Sequence, residues 1–227
     1  DLKDLKALAP HEARKRIFQD GSVVFGGGLL SGPGSALPAD GYSRDPTSYH
    51  SVDREGRVAV DFGEFPGPEV FFRTQGGGGE MLVSATVPHF GKRPLAVARG
   101  RQLILGSGDA YELLVFDARG RPTRITRILT PPTRVTGEHL DALLQERLSA
   151  VEDPSVAPRV RSSFQEVPHA EFLPAFGDLI LDSEGFLWVE DYLLPGERVS
   201  HWTVFDTLGA PVTRLHLPPG HEILDMG

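Results

Sequence analysis

The stretch LDSEGFLWV (residues 181–189) repeats an earlier stretch, VDREGRVAV (52–60), and this repeat indicates the fold. Both stretches read as an apolar residue, then Asp-x-Glu-Gly, then a short apolar strand, with Gly56 aligned on Gly185. An Asp at the first position of a turn accepts hydrogen bonds from backbone N–H groups, and Gly supplies the positive φ that a tight hairpin needs. The acids Asp182 and Glu184 are therefore interpreted as parts of a turn between two strands.

A second hairpin signature also occurs twice. VFDARGRPTR (115–124) and VFDTLGAPVTR (204–214) share Val-Phe-Asp-x-x-Gly followed by a strand that ends in Thr-Arg. Two different signatures, each used twice, indicate an internal structural repeat. The turn glycines Gly56 and Gly100 lie 44 residues apart (100 − 56). A period of that length, with four short strands and two turns, is typical of a β-propeller blade.

The strands next to these turns are continuously apolar. LILD (179–182) and FLWV (186–189) do not alternate between apolar and polar residues, as a strand with one solvated face would. A continuous apolar run is typical of a strand that is buried on both faces. The pattern predicts sheets that are packed between neighbouring sheets, as the blades of a propeller are.

We therefore predict one all-β domain over residues 1–227, a β-propeller of four-stranded antiparallel blades with one inserted helix. In the unit at 51–88 the predicted strands cover 57–62, 69–73 and 80–87. The predicted parts are a partial blade at 17–25, a long Gly/Pro loop at 26–50, blades at 51–88, 94–129 and 178–217, and a linker at 131–171 that contains the helix.

The inserted helix is predicted at 136–151 (TGEHLDALLQERLSAV). Thr136 is a suitable N-cap residue, and prolines at 154 and 158 are expected to end the helix. One side of the helix is apolar, as expected of a helix that covers another surface. Its apolar residues are Leu140, Leu143, Leu144, Leu148 and Val151.

Composition restricts the classes of partner. The net charge is −8, and the longest basic block is Arg14-Lys15-Arg16. Nucleic-acid binding needs a concentrated cationic surface, so we do not expect it. No apolar run reaches the roughly 20 residues that span a bilayer, so no transmembrane segment is predicted. The chain has no cysteine, which excludes disulfides, thiolate metal sites and a cysteine nucleophile.

Several segments carry a family resemblance. LILDSEGFLWVEDY (179–192), HWTVFDTLG (201–209) and RLHLPPG (214–220) resemble the last blades of the bacterial six-bladed β-propellers that are relatives of NHL-type propellers. GSGDAYELLVFDARGRPTRITR (106–127) and FGEFPGPEVFF (62–72) are similar to earlier blades of that family. The resemblance covers about residues 51–227.

The resemblance implies a periplasmic or secreted location and supplies no catalytic residue. Six blades of this length need about 260 residues, more than the 227 of this chain. We therefore expect either a fragment or a propeller in which some blades have lost the pattern.

Glu190 and Asp191 follow the strand FLWV and are the candidates for a divalent-metal site. Carboxylates are hard oxygen ligands, but the loop here lacks the further ligands of an EF-hand. Trp188 and Trp202 are expected to pack across neighbouring strands. None of the eight histidines forms His-Glu-x-x-His, and Ser107 beside Asp109 lacks the Gly-x-Ser-x-Gly motif of a hydrolase. No catalytic or cofactor-binding residue is predicted.

Two interpretations of function remain. The first is a non-enzymatic scaffold that binds protein partners through the helix and the 26–50 loop, including an extrinsic subunit docked on a larger membrane-associated complex. The alternative is an enzyme with a metal-assisted hydrolase or lactonase site in the central channel, or a propeller that binds a small ligand or a sugar. Its candidate residues are Asp61, Asp182, Glu190 and Asp191.

Overall fold

A computed structural model describes residues 16–27, 40–77, 80–221 and 223 of the chain. These residues are mostly β, as predicted, and form four antiparallel sheets and two helices. The first sheet contains β1 (Val23–Gly27), β3 (Thr47–Val52) and β4 (Val58–Phe65), and the second contains β2 (Gly41–Ser43), β5 (Val70–Gly77) and β6 (Glu80–Thr86). The third sheet contains β7 (Leu95–Arg99), β8 (Gln102–Gly106), β9 (Glu112–Asp117) and β10 (Pro122–Arg127), and the fourth contains β11 (Leu179–Leu181), β12 (Leu187–Glu190), β13 (Ser200–Phe205) and β14 (Pro211–Leu217).

Three of the sheets share one topology. The third and fourth sheets are meanders in which each strand pairs with the next along the chain. The first sheet follows the same course, because Ile17 forms an antiparallel bridge with Val23 ahead of β1, and β3 and β4 follow. Each of the three units therefore starts with a hairpin and ends with a hairpin.

The repeated Asp-Gly motifs make the same turn four times. In each turn the Oδ1 atom of the first Asp accepts hydrogen bonds from the backbone N–H groups two and four residues later, at 2.8 to 3.0 Å. The glycine at the fourth position has φ between 79° and 87°, which other residues adopt only with strain. This confirms the turn interpretation of LDSEG. The four aspartates are Asp53, Asp117, Asp182 and Asp206.

The third sheet is buried on both faces. Leu103 and Ile104 are neighbours on β8, and both are 0% exposed. Leu103 packs in a cluster with Val24 of the first sheet, whereas Ile104 packs in another cluster with Leu187 of the fourth sheet. Because side chains alternate across a strand, the two clusters lie on opposite faces of the third sheet. This position explains the continuously apolar strands.

The first strands of the three units are neighbours. Arg16 forms a parallel bridge with Ala98 of β7, and the backbone N–H of Gln19 donates to the carbonyl oxygen of Gly100 at 2.7 Å. On the other side, the Arg99 guanidinium donates to the Leu181 carbonyl of β11 at 3.4 Å. The hairpins that open and close each unit therefore lie at one end of the sheets, here called the hairpin end. The other described connections between the strands of these units leave and enter the sheets at the opposite end, here called the insertion end.

The grouping predicted for 51–88 is wrong. Its first strand is β4, which pairs with β3 in the first sheet, whereas β5 and β6 belong to the second sheet with β2. The reason lies in the segment predicted as the 26–50 loop, because residues 40–50 contain β2 and the start of β3. Because β3 pairs with β4 and β2 pairs with β5, the consecutive strands β4 and β5 belong to different sheets. The middle of that loop, residues 28–39, lies outside the described residues.

The predicted helix is confirmed as α1 (Gly137–Ser149). Thr136 is its N-cap, and its hydroxyl accepts from the His139 N–H at 3.4 Å while His139 Nδ1 accepts from the Thr136 N–H at 3.1 Å. A second helix, α2 (Ala157–Glu166), was not predicted. The prolines expected only to end α1 begin the next elements: Pro154 opens a short 3₁₀ turn and Pro158 lies in the first turn of α2. Neither position needs a backbone donor.

Candidate functional site

The connections at the insertion end form one continuous layer. This insertion layer consists of the second sheet, the two helices and the links at 128–136, 167–178 and 191–199. The Tyr42 hydroxyl of β2 donates to the His169 carbonyl at 2.8 Å, and the Arg73 guanidinium of β5 donates to the Glu166 carbonyl of α2 at 2.7 Å. Segments inserted at different points of the chain therefore hold each other in place.

The apolar side of α1 faces into this layer. Leu140 and Leu143 pack against a cluster of the buried residues Phe90, Ala170 and Leu173. The helix therefore covers another surface of the chain, as its apolar side predicts, and these two leucines contact the layer itself.

A buried histidine joins the two helices to the rest of the layer. The His89 ring stacks on Phe164 of α2 with 4.0 Å between ring centroids, and its Nε2 lies 3.0 Å from the Phe164 carbonyl oxygen. Arg147 Nη2 of α1 lies 3.4 Å from Nδ1. A guanidinium can only donate, so this contact assigns the neutral tautomer with the proton on Nε2. Burial lowers the pKa of His89, and the charge of Arg147 adds to that shift. The role of His89 is structural.

Arg44 connects the insertion layer to the third sheet. Its Nε donates to the Gly67 carbonyl at 2.9 Å, its Nη2 donates to the Ser107 carbonyl at 2.7 Å, and it forms an ion pair with Asp109. The Ser107 hydroxyl donates to Asp109 at 2.9 Å. The Ser107–Asp109 pair therefore helps to attach the insertion layer to the third sheet. None of these hydrogen bonds joins Ser107 to a histidine that could act as a base.

Several large apolar side chains in the insertion layer, or in segments next to it, are exposed. Such residues are normal when scattered singly, whereas a contiguous apolar patch marks an interaction surface. Leu129 is 88% exposed and follows the end of β10. The others are Tyr42, Leu82, Val87, Val156 and Leu193.

The predicted metal candidates Glu190 and Asp191 point in different directions. They are consecutive residues at the end of β12, and consecutive side chains of an extended segment leave on opposite faces. Asp191 forms an ion pair with Arg214 of β14. The Glu190 carboxylate lies over Gly177, so that a Cβ at this glycine would approach Oε2 to 3.2 Å.

The other two acids proposed for a channel site lie elsewhere. Asp182 is at the hairpin end, where its Oδ2 accepts from the Trp188 indole N–H at 3.0 Å. Glu190 lies at the other end of β12. Asp61 lies on β4, and its Oδ1 accepts from the Gly63 N–H at 2.8 Å. Within residues 16–27, 40–77, 80–221 and 223, no three His, Cys, Asp or Glu side chains come close enough to hold a metal ion.

A polar row on the fourth sheet was missed from the sequence. His201 of β13 pairs directly with His216 of β14, and the Asp191 N–H donates to the His201 carbonyl at 2.8 Å. The spacing from the VFDTLGAPVTR turn does not reveal the pair by itself, because the register shifts between Val204 and Phe205.

Beside this row lies the buried hydroxyl of Tyr111, at the start of β9. Among the described residues, no group forms a hydrogen bond of acceptable geometry with this hydroxyl. Burial raises the pKa of Tyr111, and the nearby charge of Asp191 adds to the shift, whereas Thr203 and Arg214 oppose it. The hydroxyl therefore stays protonated under ordinary conditions.

Comparison with known proteins gives no match: no family model, no curated protein and no solved structure is significantly similar to the chain. Among the described residues, no helix is both long and apolar enough to cross a bilayer.

Proposed function

We propose that the first, third and fourth sheets are successive blades of a propeller related to the NHL-like six-bladed type, and that the chain acts as a non-enzymatic module that binds a protein partner. Three features support the blade arrangement. These are the shared meander, the adjacency of the first strands and the burial of the middle unit on both faces. A propeller blade has the same features.

The binding proposal rests on a difference between the hairpin end and the insertion end of the sheets. The hairpin end consists of tight turns, four of them with one geometry. The described inserted segments emerge at the other end, where cross-contacts join them. Large apolar side chains are exposed at both ends, with Leu129 of the insertion layer the most exposed at 88%. Loops placed on a rigid scaffold are where binding residues concentrate. The insertion layer is therefore the proposed partner surface.

Charge and location fit the same proposal. The net charge of −8 favours a partner with a neutral or basic contact surface over a nucleic acid. The family resemblance extends the proposal to an extracytoplasmic protein that docks on a larger membrane-associated assembly. The hydrolase or lactonase alternative finds less support, because Asp61, Asp182, Glu190 and Asp191 do not gather at one point.

Quantitative co-purification from the native source tests the proposal with two matched variants. Leu129→Asp changes an exposed leucine of the insertion layer, and Leu208→Asp changes a comparably exposed leucine, at 81%, in a hairpin-end turn. We expect one partner to be recovered in fixed proportion with the unchanged protein and with Leu208→Asp, and to be lost with Leu129→Asp. Equal recovery with both variants would contradict the assignment of the surface. Turnover of an ester or lactone panel by the purified protein would favour the enzyme instead.

A further inference from the structure

The strongest unassigned feature is the contact between His201 and His216. The two residues face each other across the β13–β14 ladder, so their side chains leave the same face of the fourth sheet. Their Nδ1 atoms are 2.6 Å apart, and their ring planes are nearly perpendicular, with centroids 4.6 Å apart. Both rings therefore direct the same type of nitrogen at one point between the strands.

Two imidazole nitrogens this close need either a proton or a metal ion between them. A neutral imidazole has one nitrogen that carries a proton and one that carries a lone pair. If both Nδ1 atoms carried lone pairs the contact would be repulsive, and if both carried protons the protons would collide. A hydrogen bond from the Nδ1–H of one neutral ring to the bare Nδ1 of the other satisfies the geometry, and so does a metal ion that both Nδ1 atoms bind.

A metal ion requires only a small adjustment. Zinc lies 2.0–2.1 Å from a histidine nitrogen, so two ligands in a tetrahedral arrangement are about 3.3 Å apart. The two Nδ1 atoms would have to separate by roughly 0.7 Å (3.3 − 2.6), which small rotations about the side-chain torsions supply. The backbone positions are held by the paired strands, so the ligands are preorganised.

The surroundings are compatible with a cation. Asp191 lies in the same cross-strand row and forms an ion pair with Arg214 of β14, so the charge of this arginine is balanced by a carboxylate. No third His, Cys, Asp or Glu of the described chain joins the two histidines at ligand distance. The protein thus supplies two nitrogen ligands and leaves the remaining coordination positions to solvent or to a donor from another molecule.

We propose that His201 and His216 form a binding site for a transition-metal ion, held through both Nδ1 atoms. Imidazole suits Zn²⁺, Cu²⁺ and Ni²⁺, whereas Mg²⁺ and Ca²⁺ require oxygen ligands. Affinity therefore follows the order Mn²⁺ < Co²⁺ < Ni²⁺ < Cu²⁺, with Zn²⁺ below Cu²⁺. This site does not depend on the proposed protein partner.

Calorimetric titration of the untagged full chain with Zn²⁺ and Cu²⁺ tests the site. We expect one ion per chain, with at least about a tenfold loss of affinity in His201→Gln and in His216→Gln alike, because even losing an indirect partner of a metal ligand costs 10–100-fold. His50→Gln is the matched control, since His50 is also a strand residue and stacks on Phe25 away from this pair. Its affinity should be unchanged.

Electron paramagnetic resonance of the unchanged protein with Cu²⁺ gives a result that does not depend on variant folding. Coupling to the nitrogens of two imidazoles supports the site. No binding of Zn²⁺ or Cu²⁺, equal binding by the unchanged protein and both pair variants, or coupling to one imidazole or none would overturn it. An equal response to Ca²⁺ would also overturn it.

Discussion

Replacing one buried side chain on each face of the third sheet by alanine tests whether this sheet lies between two others. Leu103→Ala and Ile104→Ala change adjacent residues of β8 that are both 0% exposed and belong to different clusters. Each change removes three buried carbon atoms, which at about 0.8 kcal/mol each gives about 2.4 kcal/mol. The residual cavity adds to this, so each variant should lose about 3–5 kcal/mol of the free energy of unfolding.

Urea unfolding followed by circular dichroism measures both losses. The midpoint should fall in each variant while the slope stays the same, because the native surface area does not change. Leu208→Ala, in an exposed turn, is the control and should stay within about 0.5 kcal/mol of the unchanged protein. A sheet with one solvated face would give one large loss and one below 1 kcal/mol. That asymmetry would refute the sandwiched arrangement.

Three further predictions concern the turns and the buried histidine. Asp206→Ala should lower the free energy of unfolding by about 1 kcal/mol, because two backbone N–H groups lose their acceptor. Asp182→Ala should lower it by about 1 kcal/mol more than Asp206→Ala does, since the Trp188 indole N–H also loses its acceptor. Thermal unfolding compares the two variants. Gly209→Ala should destabilise the protein more than Gly196→Ala does, as measured by urea unfolding. Both glycines have positive φ, so alanine costs about 1 kcal/mol of backbone strain at either position. A Cβ at 209 would also lie 2.9 Å from neighbouring side-chain atoms, whereas a Cβ at 196 would meet open space. Because the pKa of His89 is lowered in the folded state, its contribution to stability is complete above pH about 6.5 and declines below that value, where the unfolded chain takes up the proton first. Urea midpoints should therefore fall between pH 8 and pH 5, and His89→Gln should reduce this fall. An equal dependence of the midpoint on pH in the variant and in the unchanged protein would refute the assignment.

The turns could be predicted from the sequence because their causes are local. Asp182 and Gly185 act within five residues of chain, and the same chemistry recurs at Asp206 and Gly209. The helix α1 was also predictable, since its N-cap and its apolar side are contained in the segment itself. Burial on both faces could be inferred as well, because it leaves continuous apolar runs in the strands.

The pairing of strands across insertions could not be predicted in the same way. β4 pairs with β3, and β5 pairs with β2, so a sheet boundary falls between two consecutive strands. The Pro-Gly-Pro link at 66–68 indicates a break there but not which strand each of the two pairs with. The helix α2 was missed because Pro158 was interpreted only as a terminator. The pair His201–His216 depends on the register of β13 and β14, which includes a bulge next to Phe205. A turn motif alone does not reveal that irregularity.

The arrangement of the three units is tested most directly by methyl–methyl nuclear Overhauser contacts in the full chain. We expect contacts from Leu103 to Val24 of the first sheet and contacts from Ile104 to Leu187 or Val189 of the fourth sheet. The two residues should share no contact partner outside the third sheet. Contacts from both residues to the same neighbouring sheet, or no contact from Leu103 to any residue before β7, would show that the third sheet does not lie between the first and the fourth.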